Sequence, residues 1–153
     1  MIKIVLILQI FIFQSLVAQE IVGAPKIIDG DTIHINSYKI RLEGIDAPEM
    51  KQMCKKDEKD YLCGLYAKNK IKEKIGKKKI RCISSGIDRY KRHLGTCFTE
   101  ETNLNKWMVK NGYAVAYRRF SKTYVSDEEF AKLNRLGLWA GSFTQPEKWR
   151  KLN

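Results

Sequence analysis

The pattern of hydrophobic and polar residues predicts five short β-strands, with a helix after the third. The strands are expected at residues 21–28, 32–35, 38–45, 77–83 and 93–98. The helix is expected at residues 61–75, where four small or apolar residues recur at every fourth position: Cys63, Ala67, Ile71 and Ile75. Gly76 is the stop signal of this helix. Residues 50–60 and 84–86 are polar or rich in turn-forming residues, which predicts loops.

The second half of the chain is expected to be mainly helical. A helix predicted at residues 103–111, and ended by Gly112, has three apolar residues on one face: Leu104, Trp107 and Met108. Ser126 and Glu129 have the spacing of a capping box, which predicts that another helix begins there and stops at Gly137. Its inward face is expected to consist of Phe130, Leu133 and Leu136. Residues 138–150 are expected to be irregular, with tryptophans packed on the body.

This order of elements indicates an α+β protein. Five short strands with a helix after the third fit a five-stranded β-barrel of the OB-fold type, carrying about three packed helices. No repeat, low-complexity tract or linker divides the chain. The length of 153 residues suits a single domain with its own core.

The second and third predicted strands form a hairpin whose register follows from its turn. Asn36 and Ser37 suit a two-residue turn, which places Ile35 opposite Tyr38 and Ile33 opposite Ile40. These four side chains then share one face, predicted to be the core face. Arg41 falls opposite Thr32 on the other face, next to Asp31.

Five carboxylates and that arginine lie in the stretch of 21 residues from Asp29 to Glu49, which includes this hairpin. The acids are Asp29, Asp31, Glu43, Asp46 and Glu49. Acids gathered in this way repel one another unless a cation joins them. Carboxylate oxygens suit a hard cation such as Ca²⁺ or Mg²⁺, so the stretch is predicted to be a site rather than ordinary surface.

An acidic pocket is unusual in so basic a protein. The chain holds 29 lysines and arginines against 17 aspartates and glutamates, a formal net charge of +12. This excess favours a polyanionic partner such as nucleic acid, although a merely soluble basic surface would have the same composition.

Residues 1–18 are predicted to be a signal peptide rather than part of the fold. Lys3 precedes an apolar run over residues 4–17, and cleavage is expected after Ala18. An uncleaved anchor is the alternative. The first interpretation predicts an exported protein, periplasmic or secreted, with residues 19–153 as its single domain. The mature protein is expected to be a monomer without stable membrane association.

Export would make the four cysteines disulfide partners. Three pairings are possible, and Cys54–Cys63 with Cys82–Cys97 is favoured because each closes a local loop. The second pair would also link two neighbouring strands. Zinc is less favoured, because no Cys-x-x-Cys pair is present.

Several motifs, taken in order, resemble the staphylococcal nuclease (thermonuclease) family. The first three are Asp29-Gly30-Asp31-Thr32, then Arg41-Leu42 with Gly44-Ile45-Asp46-Ala47-Pro48-Glu49, then Asp88-Arg89-Tyr90 with Arg92, Leu94 and Gly95. Asn105, Val109, Gly112 and Ala114 continue the match, and Gly137-Leu138-Trp139 ends it. Each motif alone is modest evidence, whereas the ordered set over residues 21–140 is specific.

The resemblance implies a Ca²⁺-dependent phosphodiesterase that cuts DNA and RNA. Asp31 and Asp46 would bind the metal with the backbone carbonyl of Ala47. The remaining roles it implies fall on seven side chains. Arg41 and Arg92 would bind the scissile phosphate, Glu49 would act as general base or water-orienting group, and Arg89 and Tyr90 would bind a neighbouring phosphate. Leu94 and Tyr117 would line the base or sugar pocket.

One position departs from the family pattern. Lys91 stands where the family usually has glycine. If this position requires a positive φ, lysine costs roughly 1 kcal/mol. Alternatively the loop differs and Lys91 adds a phosphate contact.

Two other functions remain open at this stage. A catalytically silent nucleic-acid-binding module would keep the fold, but such domains generally lack the acids and arginines found here. A basic protein that binds polyanions would explain the net charge but not the acidic pocket.

Overall fold

The computed structural model describes residues 18–153. The predicted signal peptide therefore lies, apart from Ala18, outside the described residues. Within residues 18–153, no helix is both long and apolar enough to cross a membrane.

Residues 18–153 form eleven strands and four α-helices. The strands are β1 (Gln19–Gly23), β2 (Pro25–Ile27), β3 (Thr32–Ile35), β4 (Tyr38–Leu42), β5 (Ile45–Asp46), β6 (Met53–Lys56), β7 (Lys59–Leu62), β8 (Ile80–Ile87), β9 (His93–Thr99), β10 (Thr102–Asn103) and β11 (Val115–Ala116). The helices are α1 (Cys63–Ile75), α2 (Leu104–Lys110), α3 (Val125–Leu133) and α4 (Pro146–Leu152), and a 3-10 helix covers Gly137–Ala140.

The main sheet is curled, and its two edge strands, β1 and β2, are consecutive halves of one segment of the chain. Its strand order is β1-β8-β9-β4-β3-β2, and β1 and β2 are separated in the chain only by Ala24. The predicted first strand is therefore bent into two, with Pro25 as the first residue of its second half. All pairs along this path are antiparallel except β4 with β9. The predicted α+β fold of OB-fold type is confirmed, with four α-helices instead of about three.

The bend has a steric cause at Gly23. A Cβ atom added there would lie 2.6 Å from the Cγ2 atom of Ile35 on β3. Only glycine lets the first segment pass so close to β3 before it continues as β2. The bend is what allows five segments to close around one core.

The hairpin register is confirmed. Ile35 pairs with Tyr38, Ile33 with Ile40, and Thr32 with Arg41. The three isoleucines are fully buried, but Tyr38 is 37% exposed. The prediction of a buried Tyr38 is wrong because Tyr38 is the first residue of β4 and lies at the margin of the sheet. Its ring packs edge-on against His93, with 5.3 Å between the ring centroids.

Two predicted loops are strands instead. Residues 53–62 form the β6–β7 hairpin, and Ser84–Gly86 continue β8 with a register shift between Ser84 and Gly86. Both segments are polar or turn-rich because they face solvent over much of their length. Pairing with a neighbouring strand, which a local pattern does not show, makes them strands.

The predicted inward face of the third helix is wrong. Leu133 is 84% exposed and Phe130 is 44% exposed, whereas Glu128 and Ala131 are buried. The helix begins at Val125 after Tyr124, without a side-chain cap, so Ser126 does not form the predicted capping box. Glu128 turns inward because its carboxylate accepts hydrogen bonds from the Ala116 amide and the Arg118 guanidinium.

The remaining helices follow the predictions more closely. The predicted stripe on α1, from Cys63 to Ile75, is buried. In the tail, predicted to be irregular, a 3-10 helix and α4 form, and Pro146 occupies the first turn of α4. Trp139 packs on Phe143 with ring centroids 4.9 Å apart, as part of a second apolar cluster.

Both favoured disulfides are present. Cys82 and Cys97 are directly paired across β8 and β9, and Cys54 on β6 bonds to Cys63 at the start of α1. The first joins the strands on either side of the 88–92 turn. The second attaches the β6–β7 hairpin to the main body.

Two glycines let the C-terminal part contact the body. A Cβ atom on Gly112 would lie 2.2 Å from the Leu136 carbonyl oxygen, and one on Gly137 would lie 2.3 Å from the Gly112 carbonyl oxygen. The Leu138 amide donates to that same Gly112 carbonyl at 2.8 Å. Backbone therefore touches backbone here, and both glycines have positive φ.

We expect Gly112→Ala to lower the free energy of unfolding by about 3 kcal/mol or more, since it adds a backbone clash to an unfavourable φ. Gly76→Ala is the matched control. Gly76 also has positive φ, but nothing lies within 4 Å of an added Cβ atom. It should therefore lose only about 1–2 kcal/mol. Urea denaturation measures both, and equal losses would contradict the importance of this contact.

Candidate active site

One arginine joins two buried carboxylates at the end of the β3–β4 hairpin. The Arg41 Nη1 atom lies 2.9 Å from Oδ2 of Asp31, and its Nη2 atom lies 3.2 Å from Oδ1 of Asp46. All three side chains are nearly excluded from solvent, with exposed fractions of 12%, 10% and 2%. The fold therefore brings Arg41 next to Asp31, as the hairpin register predicted, and adds a contact with Asp46.

Backbone pairing holds each of these acids in place. Asp31 precedes β3, opposite the Leu42 amide, which donates to the Asp31 carbonyl at 2.8 Å. Its carboxylate accepts the Ala47 amide at 2.6 Å, so it also holds the strand that carries the other acid. Asp46 lies on β5, paired with Val115 of β11. The buried Glu128 supports β11 by accepting the neighbouring Ala116 amide.

The other two acids of the stretch next to the hairpin have different roles. The Asp29 carboxylate accepts the Asp31 amide at 2.9 Å, which closes the turn before β3. The Glu43 carboxylate accepts the Ser85 hydroxyl at 2.7 Å. The fold thus separates the predicted group of five acids into a central pair, two structural acids and Glu49.

Glu49 lies on a turn that a buried glutamine holds. The Gln52 side chain is fully buried, accepts the Glu49 amide at 3.2 Å and donates to the Thr144 carbonyl at 2.6 Å. The Gly64 backbone also lies against the Glu49 backbone, because a Cβ atom on Gly64 would lie 2.0 Å from the Glu49 carbonyl oxygen. The start of α1 and the C-terminal segment therefore set the position of the Glu49 backbone.

A second arginine, not predicted from the sequence, binds this group of acids. Arg150 on α4 donates from Nη1 to Asp46 Oδ1 at 2.9 Å and from Nη2 to Asp46 Oδ2 at 3.0 Å. Its Nη1 atom also donates to Glu49 Oε1 at 2.8 Å. Arg150 is 104 residues from Asp46 in the chain. No local pattern signals this contact; the only sign was an arginine in a tail predicted to be irregular.

A second residue that pattern reasoning left without a role is Asn105. It is fully buried on α2, accepts the Cys97 amide at 3.1 Å, and donates to the carbonyls of Glu43 and Gly95. It thereby ties the end of β4 to β9. A polar residue on an otherwise apolar helix face was the available signal.

Arg92 immediately precedes β9, the strand beside β4, and contacts a different acid. β9 runs parallel to β4 with Leu94 paired to Arg41, and Arg92 is two residues before Leu94. Its Nε and Nη2 atoms both contact Asp88 Oδ2 at 2.8 Å. Within residues 18–153 its Nη1 atom makes no hydrogen bond. Arg92 thus keeps one edge of its guanidinium free of hydrogen bonds to the described residues.

The 88–92 turn also gathers the predicted phosphate-binding residues. The Asp88 carboxylate accepts the amides of Tyr90 and Arg92. The exposed Tyr90 ring lies against two guanidiniums, those of Arg89 at 4.8 Å and Arg92 at 5.3 Å from its centroid. Arg89 also donates to the Tyr90 hydroxyl at 2.7 Å.

The last two predicted residues lie on different sides of the pair of acids. Leu94 is half-buried beside Arg41 on β9. Tyr117 follows β11, where its amide donates to the Gly44 carbonyl at 2.9 Å and its ring packs edge-on against Phe120. It lines a cleft that Asp46, Arg118 and Arg119 also line.

Burial makes the two central acids hard to ionise. It raises the pKa of Asp31 to about 7, against the lowering effect of Arg41. It raises the pKa of Asp46 as well, against the hydrogen bonds and charges of Arg150 and Arg41. Two buried acids that depend on nearby cations for their charge form a site prepared for positive charge.

Comparison with known proteins gives this arrangement its context. Residues 39–141 match the family described as staphylococcal nuclease homologues. This matched stretch begins at the second residue of β4 and continues past β11, and it includes both Arg41 and Arg92. The chain belongs to the staphylococcal nuclease family.

Curated relatives agree with this membership. The chain is 37% identical over 135 residues to the succinoglycan biosynthesis protein ExoI of Rhizobium meliloti, spanning 85% of this chain and 69% of that one. It is 34% identical over 134 residues to an uncharacterized endonuclease of Haemophilus influenzae, with 82% and 70% covered. It is 32% identical over 144 residues to a micrococcal nuclease of Shigella flexneri, with 82% and 78% covered. The resemblance to the family and the predicted enzyme class, a nuclease, are confirmed.

The donors of this staphylococcal nuclease site suit a hard cation. Asp31 and Asp46 supply carboxylate oxygens that one guanidinium already brings together, and a partly hydrated hard cation needs few protein ligands. Among residues 18–153, no three acidic, histidine or cysteine side chains cluster in a way that would hold a metal by themselves. The residues therefore fit a two-carboxylate site completed by backbone and solvent oxygens, not a closed protein cage.

Lys91 has the conformation expected of the family glycine. Its φ is 60°, a left-handed conformation, in the turn where its amide donates to the Asp88 carbonyl. Of the two explanations for this departure, the structure supports a lysine that is strained at positive φ.

We expect Lys91→Gly to raise the free energy of unfolding by about 1 kcal/mol, because it removes this strain. Lys91→Ala is the matched control, since it removes the same charge but keeps a Cβ atom at positive φ. Urea denaturation compares the three proteins. An equal gain in both variants would mean that charge, not backbone strain, is responsible.

The raised pKa of Asp31 predicts a pH effect on the metal-free protein. Between pH 3.8 and about 7, the folded chain holds a proton that the unfolded chain loses. Because the folded state binds this extra proton, the contribution of Asp31 to the free energy of unfolding falls as the pH rises through this range, by at most about 4 kcal/mol. Asp31→Asn should remove this part of the pH dependence.

Urea denaturation in chelator measures the free energy of unfolding of the wild type and of Asp31→Asn. Several pH values between about 4 and 8 cover the range in which the linkage relation predicts a difference. Asp60→Asn, which changes an exposed acid of β7, is the control and should follow the wild type. An unchanged pH profile in Asp31→Asn would contradict the assignment.

Proposed function

We propose that this chain is a Ca²⁺-dependent nuclease that hydrolyses phosphodiester bonds of DNA and RNA at the Arg41 site. The observation that carries the proposal is the Arg41 guanidinium bridging two buried carboxylates, one of which shares Arg150 with Glu49. Family membership supplies the reaction class. The choice of Ca²⁺ over Mg²⁺ rests on the family resemblance.

In this proposal, two arginines bind the phosphate under attack. Negative charge grows on the non-bridging oxygens as water adds to phosphorus, and donors already in position stabilise that charge most strongly. Arg41 is oriented by Asp31 and Asp46, and the free Nη1 edge of Arg92 is oriented by Asp88. A guanidinium fork held in this way can bind two phosphate oxygens at once.

Glu49 is assigned to the attacking water. Its side chain is 37% exposed, so it can reach a solvent molecule, while Gln52 and Gly64 hold its backbone. The carboxylate either accepts the water's proton or orients the water for attack. Because the Glu49 backbone is held, its carboxylate would need little reorganisation during the reaction.

Asp31, Asp46 and the Ala47 carbonyl are assigned to the metal. Bound Ca²⁺ would supply Lewis-acid polarisation of a phosphate oxygen. The raised pKa values of the two acids support this role, since such acids gain most from a cation.

Four further residues are assigned to substrate binding. Arg89 and Tyr90 would bind a neighbouring phosphate, and Leu94 and Tyr117 would line the base or sugar pocket. The net charge of +12 adds sequence-independent attraction to nucleic acid.

Export, periplasmic or secreted, is part of the same proposal. The two disulfides support it, because disulfides persist in oxidising compartments. The proposed signal peptide, a monomeric state and the absence of stable membrane association after cleavage go with it.

We expect Arg41→Ala and Arg92→Ala each to lower turnover by about 10²-fold or more, because each removes a donor to the developing charge. Arg81→Ala is the matched control: Arg81 lies on β8 over the Phe98 ring, pairs with Glu20 rather than with Asp31 or Asp46, and should keep the wild-type rate. Cleavage of single- and double-stranded DNA and of RNA, with Ca²⁺ and with chelator, measures all four proteins.

Two outcomes would contradict parts of this assignment. Wild-type rates in both Arg41→Ala and Arg92→Ala would place catalysis elsewhere. Undiminished cleavage in chelator would remove Ca²⁺ from the proposal while leaving the nuclease class intact.

A further inference from the structure

Arg150 occupies the atoms that a metal would need. Its two terminal nitrogens contact both oxygens of Asp46, and one of them also contacts Glu49. Arg41 adds a contact to Asp46 Oδ1. Since the Asp46 side chain is only 2% exposed, a cation cannot approach these oxygens while Arg150 stays in place.

The chain leading to Arg150 is anchored up to the start of α4. Ser142 and Lys55 exchange backbone hydrogen bonds of 2.9 Å in both directions, and the Thr144 carbonyl accepts Gln52 at 2.6 Å. Pro146, the first residue of α4, is buried. The segment before Arg150 is thus bound to the β6–β7 hairpin through Lys55 and to the side chain of Gln52, which also accepts the Glu49 amide.

Beyond Pro146, ion pairs supply much of the attachment of α4. Glu147 pairs with Arg119 at 2.9 Å, and Arg150 pairs with Asp46 and Glu49. Trp149 is half-buried, while Leu152 is 69% exposed. A short helix held largely by charges can change its contacts when a competing charge arrives, because little apolar surface has to be exposed.

We propose that Arg150 is a positioning residue that serves as the internal counterion of Asp46 and Glu49 and is displaced from Asp46 when the metal binds. The inference rests on the Ca²⁺ site of the proposed function. In the metal-free protein, Arg150 neutralises two acids that would otherwise repel each other. On metal binding, Asp46 exchanges a guanidinium for the cation, and α4 loses one of its attachments.

Competition of this kind is reciprocal. If Arg150 and the metal exclude each other at Asp46, removing Arg150 strengthens metal binding by the same factor by which metal weakens the Arg150 contact. A charge-assisted hydrogen-bonded pair of this type corresponds to about tenfold in affinity.

The test is calorimetric titration of the full chain with Ca²⁺ alone, without nucleic acid. Arg150→Met should bind Ca²⁺ about tenfold more tightly than the wild type. Lys151→Met is the matched control: it removes the same charge from the next residue of α4, whose only ion pair is with Glu147 within residues 18–153. It should bind Ca²⁺ like the wild type.

Thermal unfolding gives a second measurement that does not depend on activity. Arg150→Met should lower the melting temperature in chelator more than in saturating Ca²⁺, because the contact it removes exists mainly without metal. A merely structural Arg150 would produce equal losses in both conditions, which would overturn the inference.

The outcomes separate the two proposals. Equal or weaker Ca²⁺ binding in Arg150→Met, with saturable binding in the wild type, would overturn the role of Arg150 and leave the metal site standing. Binding in Arg150→Met but not in the wild type would support the inference strongly. Absence of binding in both would overturn the Ca²⁺ assignment and this inference with it.

Discussion

The site depends on charge compensation among groups that are almost removed from water. Asp31 and Asp46 are buried within contact of one guanidinium, and neither acid would readily ionise without it. Removing one partner from such a set leaves an uncompensated buried charge, which is strongly destabilising. The barrel must therefore bring strand ends from β3, β4 and β5 to one place and hold them there.

The surrounding fold meets this requirement through backbone contacts rather than side-chain packing alone. The Asp31 carboxylate accepts the Ala47 amide, β11 pairs with β5, and Asn105 ties β4 to β9. Each contact joins segments far apart in the chain at the edge of the pocket. Such a framework holds these side chains in fixed positions, which is what electrostatic catalysis at the proposed site would require.

The C-terminal segment completes the same electrostatic arrangement from the opposite end of the chain. It reaches the site over two glycines that allow backbone contact at Gly112 and Gly137, and it is then anchored on Gln52 and Lys55. Its arginine faces Asp46 and Glu49. The acids near the β3–β4 hairpin and the arginine of the tail thus form one electrostatic unit, assembled from segments more than a hundred residues apart.

The sequence by itself determined the hairpin register, the buried stripe of α1, the closeness of Arg41 to Asp31 and, through its ordered motifs, the family. These features depend on short-range periodicity and turn geometry, which act between residues near in the chain. Only the tertiary structure decided that residues 53–62 pair as a hairpin, that Glu128 rather than Leu133 faces inward, and that Arg150 binds Asp46. Arg150 and Glu128 depend on partners in other elements, because burial and charge compensation are set by what lies opposite in space. Residues 53–62 pair with each other, but their polar composition is that of a loop, so only the structure shows the pairing.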